Sequence, residues 1–249
     1  MAENTLNPQS SSTPAPTPSP HASNPKLLAG EIKFVSKSVN EHVTDFYKME
    51  VEYPQIEGLE SKHARTFNRW VEKFVLSDVA EFRGLERAAM RKEKSRRPPI
   101  EESLDMSYEI IFANRDLISI KFSHEVMALG QTHPIDYPVP VNYDLKIGKL
   151  LKLGDVFKPK ANYLEGFSRY CRAELKEKYT DPLMFKGTEP KAENYQNWNI
   201  TPEGIMISFD DYQVGPHSTG QPVLIIPYPV LKDLISRDSA VNSFLDNDS

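Results

Sequence analysis

Two hydrophobic periods organise the chain. Ile205, Ile207 and Phe209 alternate with Met206, Ser208 and Asp210, the period of a strand with one buried face. Thr201, Pro202, Glu203 and Gly204 supply the turn before it, and Gly215, Pro216, Ser218, Thr219 and Gly220 crowd backbone breakers into six residues. That density predicts a structured loop, with Val223 to Ile226 as the returning strand. Pro227 and Pro229 have no amide to give a sheet and end the pairing, and Leu231, Leu234 and Ile235 open a short closing helix.

Upstream, Glu31 to Asn40 and His42 to Tyr53 read as paired strands, the second stopped by Pro54. Phe67, Trp70, Val71, Phe74, Val75 and Phe82 recur at helical spacing and predict a helix over 59–90 whose aromatic face belongs to the core. Leu104 to Phe112 and Leu117 to Val126 carry the clearest hairpin signal, joined by a tight turn at Ala113 to Asp116. His124 to Tyr137 reads as an irregular loop, Val139 to Leu145 as a strand turned by Lys146 to Lys149. Leu164, Phe167, Cys171 and Leu175 stripe a second amphipathic helix. Hairpins and helices come in runs, without the alternation that builds parallel sheets. The expectation is an α+β fold: a mostly antiparallel sheet with helices packed on one face, in two intimately associated subdomains. The subdomains are placed at 29–130 and 131–238, with a linker at 1–28 and a tail at 239–249.

Composition narrows the function more than the fold. A net charge of −5 over 249 residues argues against a nucleic-acid partner, which requires a basic face. The basic run from Arg83 to Arg97 is interrupted by Glu86 and Glu93 and reads as a solvated helix end. A lone cysteine, Cys171, excludes an internal disulfide framework and a cysteine-based zinc site, and its place on the apolar stripe makes it a small buried hydrophobe. Six prolines between Pro8 and Pro25, mixed with serine and threonine, form a tether that cannot bury enough apolar area to order itself. No apolar run before Leu27 is long enough for a signal segment. The expectation is that Met1 stands where a signal segment or lipid anchor has been removed, leaving a secreted or envelope-anchored monomer.

Two stretches carry a family resemblance. Gly204 to Tyr228 and His133 to Phe157 (HPIDYPVPVNYDLKIGKLLKLGDVF) resemble a bacterial cell-envelope domain of unknown function, with Ile147 standing where that family usually has threonine. Tyr53 to Phe82 and Leu104 to Phe122 are similar to the smaller companion domain that precedes it. The family occurs in the extracytoplasmic half of a lysozyme-sensing anti-sigma factor and beside the catalytic domain of a peptidoglycan deacetylase. The resemblance implies a module that recognises lysozyme or peptidoglycan fragments.

Catalytic patterns are weak by comparison. Ser208 to Asp211 resembles the "TFDD" of metal-dependent carbohydrate deacetylases, and His217, Ser218 and Pro222 echo their "HS..HP". Yet Gln221 occupies the place of the second histidine and Tyr212 that of a required glycine. Asp210 and Asp211 are adjacent in an extended segment, so they point apart and cannot work as a facing acid–base pair. No nucleophile elbow, phosphate-cradling loop or H-E-x-x-H helix is present. The expectation is therefore a non-catalytic binding module without metal or cofactor. The alternative is an accessory or uncharacterised enzyme of cell-wall glycan. Tyr212, Val214, Pro216 and His217 form the first candidate contact loop, and His133 and Tyr137 lie in the second.

Overall fold

The structure, a computed structural model, describes residues 32–92, 101–128, 131–176 and 182–245. The chain begins as a hairpin of β1 (Lys33–Val43) and β2 (Tyr47–Glu57). Helix α1 (Lys62–Lys92) then crosses to β3 (Glu102–Ala113), which lies parallel to β2. Strands β4 (Leu117–Met127), β5 (Ile135–Asp144) and the short β6 (Lys149–Leu150) follow in antiparallel order, giving a six-stranded sheet ordered β1-β2-β3-β4-β5-β6. The α+β class and the mostly antiparallel sheet expected from the sequence are what the chain adopts. The parallel β2–β3 pair, bridged by α1, departs from the expected pure hairpin order.

Helix α1 buries Ala64, Phe67, Val71, Val75, Val79 and Phe82 against Met49, Val51, Met106, Ile118, Ile120 and Phe122. Each such side chain contributes on the order of 1.5–3 kcal/mol when withdrawn from water. Two expected boundaries move. Strand β2 runs through Pro54, which pairs with Ser36 on one side, while the register with β3 on the other side ends at Val51. Its missing N–H therefore faces no strand. The expected loop from His124 to Tyr137 is largely strand: β4 extends to Met127, and His124 and Tyr137 are cross-strand partners. The β3–β4 turn is built by Asn114, whose Oδ1 accepts from the amides of Asp116 at 2.9 Å and Leu117 at 2.8 Å. In β5, Pro138 and Pro140 share the parity of Asn142, whose carbonyl turns away from β4 to accept from Leu151 N. Both prolines thus point their missing amides outward.

The second core is built mainly from residues C-terminal to β6, with Leu117 of β4 completing it. Helix α2 (Tyr163–Lys176) and α3 (Pro182–Gly187) pack beside a three-stranded antiparallel sheet of β7 (Trp198–Ile200), β8 (Gly204–Ser208) and β9 (Val223–Pro227). Short helices α4 (Tyr228–Leu231) and α5 (Asn242–Leu245) close it. Phe167, Cys171, Leu175, Tyr195, Ile205, Ile207, Phe209 and Ile226 make its interior. Cys171 is fully buried, as expected, and desolvation pushes its thiol up to about 12.

A buried polar cluster joins the two sheets. Trp198 O and Ile200 N lie on the side of β7 away from β8, and Asn142 donates to the first at 2.9 Å and accepts from the second at 3.0 Å. Ser119 Oγ donates to Asn142 Oδ1 at 2.7 Å and accepts from Ile200 N and Asn199 Nδ2, each at 3.0 Å. The division placed at residue 130 falls between β4 and β5, which are neighbouring strands of one sheet.

Candidate ligand-binding site

The loop from Asp210 to Gly220 leaves the end of the central strand β8 and returns into β9. Its base is closed by Phe209 N donating to Pro222 O at 2.9 Å. Asn197 Nδ2 donates to Asp210 Oδ1 at 2.7 Å, and Gln213 Oε1 accepts from Asp210 N at 2.9 Å. The same Gln213 amide donates to Gly187 O at 3.0 Å and Asn194 O at 2.9 Å, which fastens the loop to the α3 region. Gly187 permits this approach: a Cβ there would sit 1.9 Å from Gln213 O. Burial raises the Asp210 carboxyl, against the Asn197 hydrogen bond.

On this base stands one projecting unit. Tyr212 is 60% exposed and holds φ 62, a left-handed conformation that disfavours aromatic residues. Its ring stacks on His217, centroids 5.5 Å apart and planes 19° from parallel. Asp211 braces both: Oδ1 accepts from Tyr212 N at 3.1 Å, and Oδ2 accepts from His217 Nδ1 at 2.5 Å. His217 Nε2 and the tyrosine ring remain at the surface, and Pro216 is exposed beside them. Val214 departs from the expected contact set. It is fully buried in the second core, where it anchors the loop instead of meeting a ligand.

The second predicted loop lies beside the first. Gln221 Nε2 donates to Asp136 O at 3.4 Å, so the start of β5 adjoins the end of the Tyr212 loop. His133 and Tyr137 are both exposed, Tyr137 by 42%. Tyr137 and Asp136 occupy opposite faces of β5. Tyr137 therefore turns toward the α1 side, where it meets His124, while the Asp136 carboxylate on the other face accepts from Ser123 Oγ at 2.8 Å. Sequence reasoning gave no hint of Asp211 as the brace, because a carboxylate six residues before a histidine has no motif of its own.

The chemistry of the arrangement is that of contact. Asp210 and Asp211 are committed to separate partners, Asn197 and the Tyr212–His217 pair. Among the described residues no group of three or more histidine, cysteine, aspartate or glutamate side chains could hold a metal ion. Among the same residues no helix is long and apolar enough to cross a membrane.

Comparison with known proteins agrees with the cores just described. Residues 154–229, which include α2, both ends of the Tyr212 loop and all of β7, β8 and β9, match the family described as "Protein of unknown function (DUF3298)". The peptidoglycan-N-acetylmuramic acid deacetylase PdaC of Bacillus subtilis is 30% identical over 138 residues, covering 54% of this chain. The match covers only 29% of that enzyme's length. A solved member of the DUF3298 family from Bacteroides fragilis superposes with a TM-score of 0.64 at 18% identity, covering 87% of this chain and 98% of its own. A DUF3298 protein from Pseudomonas aeruginosa gives a TM-score of 0.54 at 17% identity, covering 82% and 95%. At these identities the likeness is one of fold. The stretch that matches the DUF3298 family is thus residues 154–229, and the Tyr212–His217 unit lies inside it.

Proposed function

We propose that this chain is a non-catalytic, extracytoplasmic binding module of the bacterial cell wall, and that it recognises peptidoglycan-derived material through the Tyr212 loop. The observation that carries the reading is the posture of Tyr212: a large aromatic ring kept exposed in a left-handed conformation and stacked on a braced imidazole. Strain of that kind costs about 1–3 kcal/mol and persists where a surface is used. A flat ring with little rotamer entropy to lose suits the apolar face of a sugar or a partner's side chain. The similarity to part of a peptidoglycan deacetylase supports the wall as the place of action, with catalysis belonging elsewhere in such an enzyme. Lysozyme is the other ligand the family resemblance names.

The test is cosedimentation of the purified chain with insoluble peptidoglycan, with immobilised lysozyme in parallel. Tyr212→Ala with His217→Ala should weaken binding by about 2 kcal/mol, roughly 30-fold, the scale of an interface hot spot. Acetate or reducing-end release by the unmodified chain, abolished by Asp210→Asn, would overturn the non-catalytic reading. Undiminished binding by the double variant would overturn the placement.

A further inference from the structure

Where α1 packs over β4 and β5, a second set of side chains converges. His124 on β4 is 1% exposed, and neither ring nitrogen has a hydrogen bond. Its Nδ1 lies 3.6 Å from Asp78 Oδ2 on α1, beyond hydrogen-bonding range. The imidazole is held between two rings, Tyr137 at 5.1 Å and Phe74 at 5.7 Å between centroids. Phe74 in turn stacks on Trp70, one helical turn earlier, at 5.5 Å and 4°. Trp70, Phe74 and Asp78 therefore form one row along α1 at four-residue spacing, half-buried and turned toward the open edge of the sheet.

Charge in this corner is one-sided. Among the described residues Asp78 and the exposed Glu81 form no ion pair with a lysine or arginine, and the Tyr137 hydroxyl has no hydrogen-bond partner. Burial, then the charge of Glu81, raises the Asp78 carboxyl. Burial, then the charges of Asp78 and Glu81, raises the Tyr137 phenol. Burial lowers the His124 imidazole, against the charge of Asp136. Two carboxylates, aromatic faces and a neutral imidazole, with no basic side chain among them, suit a cation. A ring face attracts positive charge, and the attraction grows as water is excluded.

We propose that the corner formed by Trp70, Phe74 and Asp78 of α1, His124 of β4 and Tyr137 of β5 is a binding site for a protonated primary amine carried on a short apolar stem. Asp78 takes the ammonium and Glu81 adds long-range attraction. Tyr137 and the Trp70–Phe74 pair flank the stem, and His124 backs the Tyr137 and Phe74 rings from behind. Two sources present this chemistry: the amino group of a sugar and the side chain of a lysine-like residue.

The full chain is titrated with triglucosamine, with a trilysine peptide and with the fully N-acetylated form of each, followed by tryptophan fluorescence. Trp70→Phe should remove the response, since Trp198, the second tryptophan, is buried in the other core. At least one amine should bind saturably, with its acetylated form at least tenfold weaker. Asp78→Asn should weaken the amine at least tenfold, whereas Tyr212→Ala should leave it unchanged, which separates this site from the one above. Should Asp78→Asn lower the thermal midpoint, Glu81→Gln on an exposed carboxylate gives the same reading at about threefold. Binding of triglucosamine alone assigns an amino sugar, and of trilysine alone a peptide side chain. Absence of saturable binding by either amine, equal binding of the acetylated forms, or binding that survives both carboxylate variants overturns the proposal.

Discussion

Replacing Asn142 by alanine asks whether the two sheets are held together by their buried polar cluster. The Asn142 side chain serves three partners: it donates to Trp198 O, and it accepts from Ser119 Oγ and Ile200 N. After truncation Ile200 N still has Ser119 Oγ at 3.0 Å, but the Ser119 hydroxyl loses its acceptor and the Trp198 carbonyl is left without its donor. Water cannot reach it, because Trp198 and Asn142 are 5% and 3% exposed. A buried orphan of this kind costs about 1–3 kcal/mol. The space left by the lost amide adds about 1 kcal/mol more at a site that cannot fully collapse. The sum is roughly 3 kcal/mol, and for a chain of this size each kcal/mol moves the midpoint by about 2–4 °C. The variant should therefore melt about 6–12 °C lower, followed by circular dichroism together with the fluorescence of Trp198. Ser119→Ala should cost a similar amount, and the double variant should cost more than the sum by about 1 kcal/mol, because either residue alone still accepts from Ile200 N and only the double variant orphans that amide. A loss under about 1 kcal/mol for Asn142→Ala, or strict additivity with Ser119→Ala, would refute the claim that this cluster couples the sheets.

Two further outcomes follow from the same geometry. Glu86 is 5% exposed, and burial together with its hydrogen bond to Glu102 raises its carboxyl from 4.5 to about 8. The unfolded chain therefore releases this proton first as pH rises, so the stabilisation is complete below the unfolded value and fades through the folded one. Glu86→Gln, which stays neutral, should gain on the wild type by about 4 kcal/mol between pH 5 and pH 9 in urea denaturation; a difference that does not grow with pH would disprove the buried neutral carboxyl. Gly187→Ala places a methyl group 1.9 Å from Gln213 O. It should displace the Tyr212 loop and weaken peptidoglycan binding as much as Tyr212→Ala does, with far-UV circular dichroism unchanged; normal binding by this variant would show that the loop is not held from α3.

Much of the fold was legible because its elements are amphipathic and locally signalled. The β3–β4 hairpin was readable because Asn114 and its neighbours carry turn chemistry that acts within a few residues. Helix α1 and helix α2 were readable because their buried stripes keep one period. What was not legible depends on the neighbours that each strand acquires. Pro54 looked like a stop, but a proline ends a strand only where a partner needs its amide, and β3 has already left the register by then. His124 to Tyr137 looked irregular because strands that face two different environments lose clean alternation.

The candidate site divides in the same way. Exposure of Tyr212, Pro216 and His217 followed from polar, breaker-rich surroundings. Val214 could not be told apart from them, since burial at a loop base is a tertiary event. The α1 row was visible as Trp70 and Phe74 but read as core, and Asp78, the acid that continues it, was the unused signal. His124 could join that row only once β4 had been placed beneath the helix.

The outward edge of β5 carries a consequence for how the chain meets other molecules. From Asp136 to Asn142, every second residue turns its backbone away from β4, and at Pro138 and Pro140 those positions have no amide to offer. A visiting strand would find acceptors there and no ladder of donors, so this edge cannot template a copy of itself or extend into a shared sheet. The edge is in this way guarded against self-association although it stands open beside two aromatic surfaces. Whatever docks along it must be read by side chains, one face of the strand at a time.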